Sequence, residues 1–198
     1  MVEALTLAKL HEQVRERYDY DERRVVGIMM ARYDLGSTKE IVEQNYLYWH
    51  HNTRRHFDIF WAGYGAYLAD ESPTKTVLRF PGNEKRVYFD LDAFIEIKDQ
   101  LNVNFRLPYE DKIQLILVNY HDGQVWFEES LKICLEENLD TDYAKIREIM
   151  EFVSNECRLE CEITPIARKL KSARFKNIFK GITLSDAIGT AIGIMGLI

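Results

Sequence analysis

The sequence has no uninterrupted apolar run of about 18 residues, so it predicts no conventional membrane-spanning helix. Its first residues are charged and lack the apolar core of a secretory signal. Only three cysteines occur, and this odd number together with the missing signal predicts reduced thiols in a cytoplasmic protein. Four prolines and ten glycines are too few for a collagen-like or long disordered segment. What remains is a globular chain of 198 residues, long enough for one domain with an appendage.

Charge is unevenly distributed along the chain. Residues 163–198 hold six Lys and Arg side chains and a single acid, Asp186, for a charge of +5. Because the whole chain carries −6, residues 1–162 carry −11. A basic tail that follows an acidic body predicts contact either with that body or with an external anionic surface.

Apolar runs and turn signals predict a mixed α/β fold followed by helices. The apolar run at 25–30 is typical of a strand covered on both faces. Ser37 and Glu40 form a capping box that begins the next helix. The predicted order is a helix over 2–18, a strand over 25–30, a helix over 38–51, a strand over 57–62, two short strands around the turn at 81–83, a helix over 91–101, a strand over 113–120, a hairpin strand over 124–127, and helices over 130–139 and 141–161 that end at Pro165.

This order divides the chain into a mixed α/β domain over residues 1–139 and a helical C-terminal region over 140–198. With the insertion around 81–83 set aside, the order over 25–139 resembles the βαβαββα order of thioredoxin-like domains. That family carries Cys-x-x-Cys at its first helix, where this sequence has "ARYDLGST". The resemblance therefore implies the fold without the redox activity. A small doubly wound α/β domain is the alternative.

Large aromatic and titratable side chains crowd into "YWHHNTRRHFDIFWAGYGAYL", residues 48–68. We interpret this stretch as a helix end rich in cations, a turn and a buried strand. The interpretation predicts that Trp49 and Trp61 lie largely inside the protein.

The polar residues after the predicted parallel strands are the first candidates for a functional site. Arg32 and Asp34 are the candidate catalytic residues, and Ser37 and Tyr64 are candidates for binding a cofactor or a phosphate-bearing ligand. Ligands bind beyond the carboxyl ends of parallel strands, where the free N–H groups of a helix N-terminus suit an anion. The alternative is an Arg–Asp pair that only closes the sheet edge.

The histidines supply a second candidate pair. His121 and Asp122 have the types of a base and its orienting acid, although Asp-Gly is also a turn signal. His50 and His51 cannot both ligate one metal ion without distortion, because neighbouring helical side chains point about 100° apart. The sequence contains no His-x-x-x-His spacing.

The cysteines are interpreted as apolar core residues. Cys157 and Cys161 are four residues apart, which places both thiols on one helix face, as half of a metal site requires. That face is the apolar stripe of the predicted helix, where a free cysteine behaves as a small hydrophobe. Cys134 is interpreted in the same way on the helix over 130–139. We predict no metal site and no cofactor.

The C-terminal residues have the strongest functional signal. Residues 163–180 alternate apolar side chains with six cations, which is typical of a basic amphipathic helix. Residues 187–198 carry no charge, but as a helix these twelve residues span only ~18 Å against ~30 Å for a bilayer core. We expect residues 163–198 to contact another protein or another copy of the chain. Packing into the chain's own core and a peripheral contact with an anionic membrane are the alternatives, and no nucleic acid is expected because the body is acidic.

The sequence thus predicts a non-enzymatic α/β binding or adaptor module that assembles with itself or with a partner protein through its helical C-terminal region. One alternative is an enzyme, or a sensor of a nucleotide or phosphate ligand, that uses the cleft at Arg32, Asp34 and Ser37. The other is a membrane-active effector that releases its C-terminal tail.

Overall fold

The structure is a computed structural model that describes residues 4–53, 57–68, 76–79, 85–135, 143–170 and 182–185. Helices and strands are mixed along this length, which confirms the predicted α/β content. The elements are α1 (Leu7–Arg17), β1 (Arg24–Met30), α2 (Gly36–Thr53), β2 (Ile59–Trp61), β3 (Tyr64–Leu68), β4 (Thr76–Arg79), β5 (Lys85–Phe89), α3 (Leu91–Phe105), β6 (Gln114–His121), β7 (Gln124–Cys134), α4 (Tyr143–Leu159), α5 (Ile163–Leu170) and β8 (Ile182–Ser185).

Five strands form the main sheet in the order β2-β1-β6-β7-β8. β1 and β2 are parallel and are joined through α2, whereas β6, β7 and β8 follow as antiparallel neighbours on the other side of β1. Every residue of β1 from Val25 to Met30 is buried, as its apolar run predicts. Gly27 leaves room for a neighbouring ring, since a Cβ at this position would lie 2.5 Å from Phe57.

The insertion between β2 and α3 forms a separate three-stranded sheet in the order β3-β5-β4. β4 and β5 are the two short strands predicted around residues 81–83. Gly63 turns the chain from β2 into β3 at φ 73°, a backbone conformation that glycine adopts without strain.

The aromatic stretch over residues 48–68 is the end of α2 followed by β2 and β3. Trp49 and Trp61 are only 1% and 6% exposed, and their rings stack with centroids 5.8 Å apart. Tyr46 and Tyr64 add further rings at 4.5 and 5.5 Å from Trp61. The prediction that the two tryptophans lie inside is therefore confirmed.

The helix predicted over residues 130–139 is wrong where the structure describes it. β7 continues to Cys134, and its residues Ser130 to Cys134 pair with β6. Leu131 and Ile133 are fully buried, and the pairing with β6 overrides the helix propensity of Leu and Lys at these positions. Cys134 is consequently a strand residue, and residues 136–139 lie outside the described part of the chain.

The C-terminal region shares the core of the α/β domain. α4 lies within the helix predicted over 141–161 and confirms it for the described residues. α5 begins at Ile163, so Pro165 lies in a first helical turn, where its missing N–H costs nothing. Ile182 to Ser185 form β8, which pairs antiparallel with Ile133 to Ser130 of β7. A strand from the region predicted to be helical is thus the edge of the main sheet.

Most of the basic segment, residues 171–180, and the uncharged tail, residues 187–198, lie outside the described residues. Predictions about them stay predictions. Within the ranges that are described, none of the helices has both the length and the apolar composition needed to cross a bilayer.

Candidate functional site

The candidates at the carboxyl end of β1 form a closed ion-pair cluster. Arg32 donates from Nε and Nη2 to the two oxygens of Asp34, at 3.0 and 2.6 Å, and from Nη1 to Asp111 at 3.2 Å. The hydrogen bond with Asp34 raises the pKa of Arg32, and the same bond lowers the pKa of Asp34. All three guanidinium nitrogens therefore face carboxylates already, and this geometry agrees with the alternative of an Arg–Asp pair at the sheet edge.

The two candidate binding residues near this cluster differ in what the structure describes. α2 begins at Gly36, so Ser37 lies in its first turn rather than preceding the helix, and its side chain is outside the described set. Tyr64 is buried, and its hydroxyl group donates to the carbonyl oxygen of Ala31 at 3.0 Å. Burial raises the pKa of Tyr64 well above its ordinary value. Tyr64 is a core tyrosine whose hydroxyl group already has a partner.

His121 and Asp122 lie at the opposite end of the sheet. Met30 pairs with Gln114 at one end of β1, whereas Arg24 pairs with Tyr120, next to His121, at the other. The six residue steps between them amount to ~20 Å of strand. The predicted candidates therefore divide into two separate places and do not form one site.

At that opposite end, His121 and Asp122 belong to the β6–β7 turn. Asp122 and Gly123 have φ of 53° and 69°, the left-handed conformation that a two-residue type I′ turn requires at both positions. His121 Nδ1 is 2.9 Å from Asp122 Oδ2. The imidazole also stacks on Trp126, with centroids 4.8 Å apart and planes 6° apart, and the indole N–H of Trp126 donates to the His121 carbonyl oxygen at 3.1 Å. The turn thus presents a flat pair of aromatic rings.

A bulge in β7 follows this turn. Val118 faces Ser130, but the next residue, Asn119, faces Trp126, so three residues of β7 have no opposite partner. Such bulges bend a strand and redirect its side chains. The side chain of Asn119 stabilises the irregularity, because its amide nitrogen donates to Glu129 at 3.1 Å and its oxygen accepts from the backbone N–H of Ile163, the first residue of α5, at 3.0 Å.

The bulge opens a cavity of about 380 Å³ between β6, β7 and the turn from α4 to α5. We call it the bulge cavity; its lining residues are Arg23, Asn119, Tyr120, His121, Trp126, Glu128, Glu129, Cys161 and Glu162. Two further cavities adjoin it. The one of about 310 Å³ shares Tyr120 with the bulge cavity, and the one of about 270 Å³ shares Arg23 and Cys161 with it. The end of the sheet at the β6–β7 turn is therefore concave. The exposed side chains of Tyr20 and Leu159 line the two smaller cavities.

The bulge cavity is acidic. Three glutamates and one arginine line it, and Arg23 is paired with Glu162 at 3.6 Å. Glu129 receives only the neutral amide of Asn119, and Glu128 has no hydrogen bond or ion pair to any part of the chain that the structure describes. Two carboxylates therefore lack a cationic partner among the described residues.

The cysteines differ from each other more than their spacing predicts. Cys157 is buried on α4, and burial raises the pKa of its thiol. Cys161 is exposed and lines the bulge cavity, so the interpretation of Cys161 as a core residue is wrong. The reason is that α4 ends at Leu159, before the second thiol could lie on the same helix face. Among the described residues, no group of three or more His, Cys, Asp and Glu side chains is arranged to hold a metal ion.

Of the residues that line the bulge cavity, sequence reasoning named only His121 as a candidate site residue and interpreted Cys161 as core. The bulge arises from a shift in pairing between two strands, which no local pattern encodes. A signal was present in "QVWFEES", where Trp126 falls on the polar side of the alternation instead of the buried side of Val125 and Phe127.

No family model, curated protein or solved structure matches this chain.

Proposed function

We propose that the protein is a non-enzymatic binding module with a thioredoxin-like core, which assembles with another copy of itself, or with a partner protein, through residues 163–198. The observation that carries this proposal is the anchoring of the basic segment. α5 precedes residues 171–180 and β8 follows closely, and both elements are fixed on the main sheet. Both ends of the segment that carries these cations are therefore anchored on the body.

The orientation of α5 supports the same proposal. Its apolar residues Ile163, Ile166 and Leu170 are fully buried, whereas Arg168 is exposed and Lys169 reaches Glu156 and Glu160 of the α4 end at 2.5 and 3.0 Å. The same buried apolar face weakens the alternative of a membrane effector, because release of α5 would expose it to water. The paired guanidinium group of Arg32 likewise weakens the alternative of a phosphate-binding cleft.

The thioredoxin-like core is supported by how two units join. β1, α2 and β2 form a parallel βαβ unit, and β6, β7 and α4 form an antiparallel ββα unit in the same sheet, with α3 between the two units in sequence. The start of α2 has no cysteine, so the proposal carries no redox activity.

The test compares the full chain with two variants by size-exclusion chromatography and light scattering over a wide concentration range. One variant ends at Ser185, which keeps β8 and removes the uncharged tail. The other carries Arg174→Glu and Lys176→Glu, and its matched control carries Lys98→Glu and Lys112→Glu on the body. We expect the full chain and the control to assemble, and at least one C-terminal variant to remain monomeric with an unchanged melting temperature.

Partner binding is tested with the same set of proteins. Affinity capture followed by mass spectrometry should recover a protein with the full chain and the control that the C-terminal variants do not recover. Self-assembly and capture that are both identical for all four proteins would refute the proposal.

A further inference from the structure

The bulge cavity has the chemistry of a receptor for a cationic side chain. Glu128 and Glu129 supply two carboxylates without a cationic partner in the described part of the chain. Trp126, which is 36% exposed, and His121 supply a flat aromatic wall beside them. A guanidinium group stacks on aromatic rings and donates to carboxylates in the same pose, and an ammonium group can do both less specifically.

The chain itself contains the complementary segment. Six Lys and Arg side chains lie between residues 168 and 180, together with Phe175 and Phe179, and no acid occurs between Glu162 and Asp186. The aromatic residues of this segment match the apolar part of the cavity wall, and its charge matches the rim. Complementary potentials of this kind accelerate encounter and select the partner.

The two anchors of this segment lie at known distances from the bulge cavity. Ile163, bonded to Asn119, lies at the cavity, and Leu170 is seven residues further along α5, ~10 Å away. Ile182 pairs with Ile133, five residues of β7 beyond Glu128, or ~16 Å. Eleven extended residues span up to ~36 Å, so these distances allow contact with the cavity of the same chain as well as with that of a second copy, and the choice of a second copy follows from the proposed self-assembly.

We propose that the bulge cavity of one copy binds an arginine or lysine side chain from residues 171–180 of another copy. This inference rests on the proposed function, since it names the receptor for the C-terminal region. The donor segment and the receptor cavity are different surfaces, so the contact is heterologous. Heterologous contacts build rings, or open filaments where the rotation does not close.

The experiment uses one variant for each side of the contact. The receptor variant is Glu128→Lys, at a side chain without a partner in the described chain, and Trp126→Ser is a second receptor variant. The donor variant is Arg174→Glu with Lys176→Glu. Glu16→Lys, at an exposed residue of α1, is the matched control for the reversed charge.

We expect the full chain and Glu16→Lys to assemble as concentration rises, and less so at high salt. Each receptor or donor variant alone should stay monomeric. An equal mixture of receptor and donor variants retains one intact cavity and one intact segment, so it should stop at a 1:1 dimer. A labelled peptide of residues 168–181 should bind the donor variant, and Glu128→Lys in that background should weaken binding by at least about tenfold.

The outcomes separate this inference from the proposed function. If the donor variant is monomeric while both receptor variants assemble like the full chain, the cavity is not the receptor, and only this inference is overturned. If donor, receptor and truncated chains all assemble like the full chain, the proposed self-assembly falls as well. A full chain that stays monomeric, with the peptide binding only after the donor substitutions, would place the segment in its own cavity and overturn the second-copy contact.

Discussion

Replacement of Asp58 should destabilise the protein through one buried hydrogen bond. Asp58 precedes β2 and is 8% exposed, and its carboxylate accepts from the hydroxyl group of Tyr18 and, at 2.7 Å, from Arg17. Both partners lie at the C-terminal end of α1, so this carboxylate fixes the helix to the sheet. The pKa of Tyr18 is raised by its burial first and by the hydrogen bond to Asp58 second.

The magnitude follows from what each substitution leaves behind. Asp58→Ala leaves the buried Tyr18 hydroxyl group without its acceptor, which costs about 1–3 kcal/mol. Arg17 is 48% exposed, so the lost ion pair adds only about 0–1 kcal/mol. We expect a total loss of about 1–4 kcal/mol for Asp58→Ala. Asp58→Asn should lose about 1 kcal/mol, because an amide oxygen can still accept from Tyr18.

Urea unfolding of Asp58→Ala, Tyr18→Phe and the double variant measures the coupling directly. A hydrogen bond to a charged group predicts a coupling free energy of about 1.5–3 kcal/mol in this cycle. Equal stability of Asp58→Ala and the original chain, within about 0.5 kcal/mol, would refute the reasoning, since that range is typical of surface substitutions.

Three further predictions concern the core and its titratable groups. Trp61→Ala should lower the free energy of unfolding by about 3–5 kcal/mol, and an unchanged urea midpoint would contradict its buried position. A maleimide at neutral pH should label exposed Cys161 at once and buried Cys157 only on unfolding, and mass spectrometry would detect the opposite order. Burial, and then Arg15, lower the pKa of His11 below its usual 6.5. The unfolded chain therefore binds the proton more readily, so stability should fall as the pH drops from 6.5 towards the folded-state pKa and level off below it. His11→Gln should flatten this slope in urea titrations, and an unchanged slope would contradict it.

The fold is predictable from the sequence wherever a local pattern and its burial agree. The apolar run of β1, the helix α2 and the Asp-Gly turn after His121 each follow from residues close together in the chain. The second half of β7 contains helix-forming residues and therefore predicts a helix, although its side chains alternate as in a strand. Leu131, Ile133 and Leu135 alternate in the sequence with Ser130, Lys132 and Cys134, which is the period of a strand.

The candidate site was less predictable, because its geometry depends on distant partners. Arg32 and Asp34 were named from their place after β1, but Asp111, 79 residues from Arg32, is what occupies the remaining guanidinium nitrogen. The bulge cavity in turn needs Asn119 to bond Ile163, 44 residues away. Local spacing predicts the types of residues at a site and not the long-range contacts that leave some of them free.

The position of β8 also affects how the chain matures during synthesis. β7 is complete at Cys134, but the strand that covers its outer edge begins only at Ile182, after residues 135–181. A ribosome that adds about 5–20 residues per second needs roughly 2–10 s for those 47 residues. During that interval the backbone N–H and C=O groups of the β7 edge have no strand beside them, and such edges recruit other chains. Newly made protein should therefore depend on chaperones and on expression temperature most strongly in the interval before residue 185 has emerged.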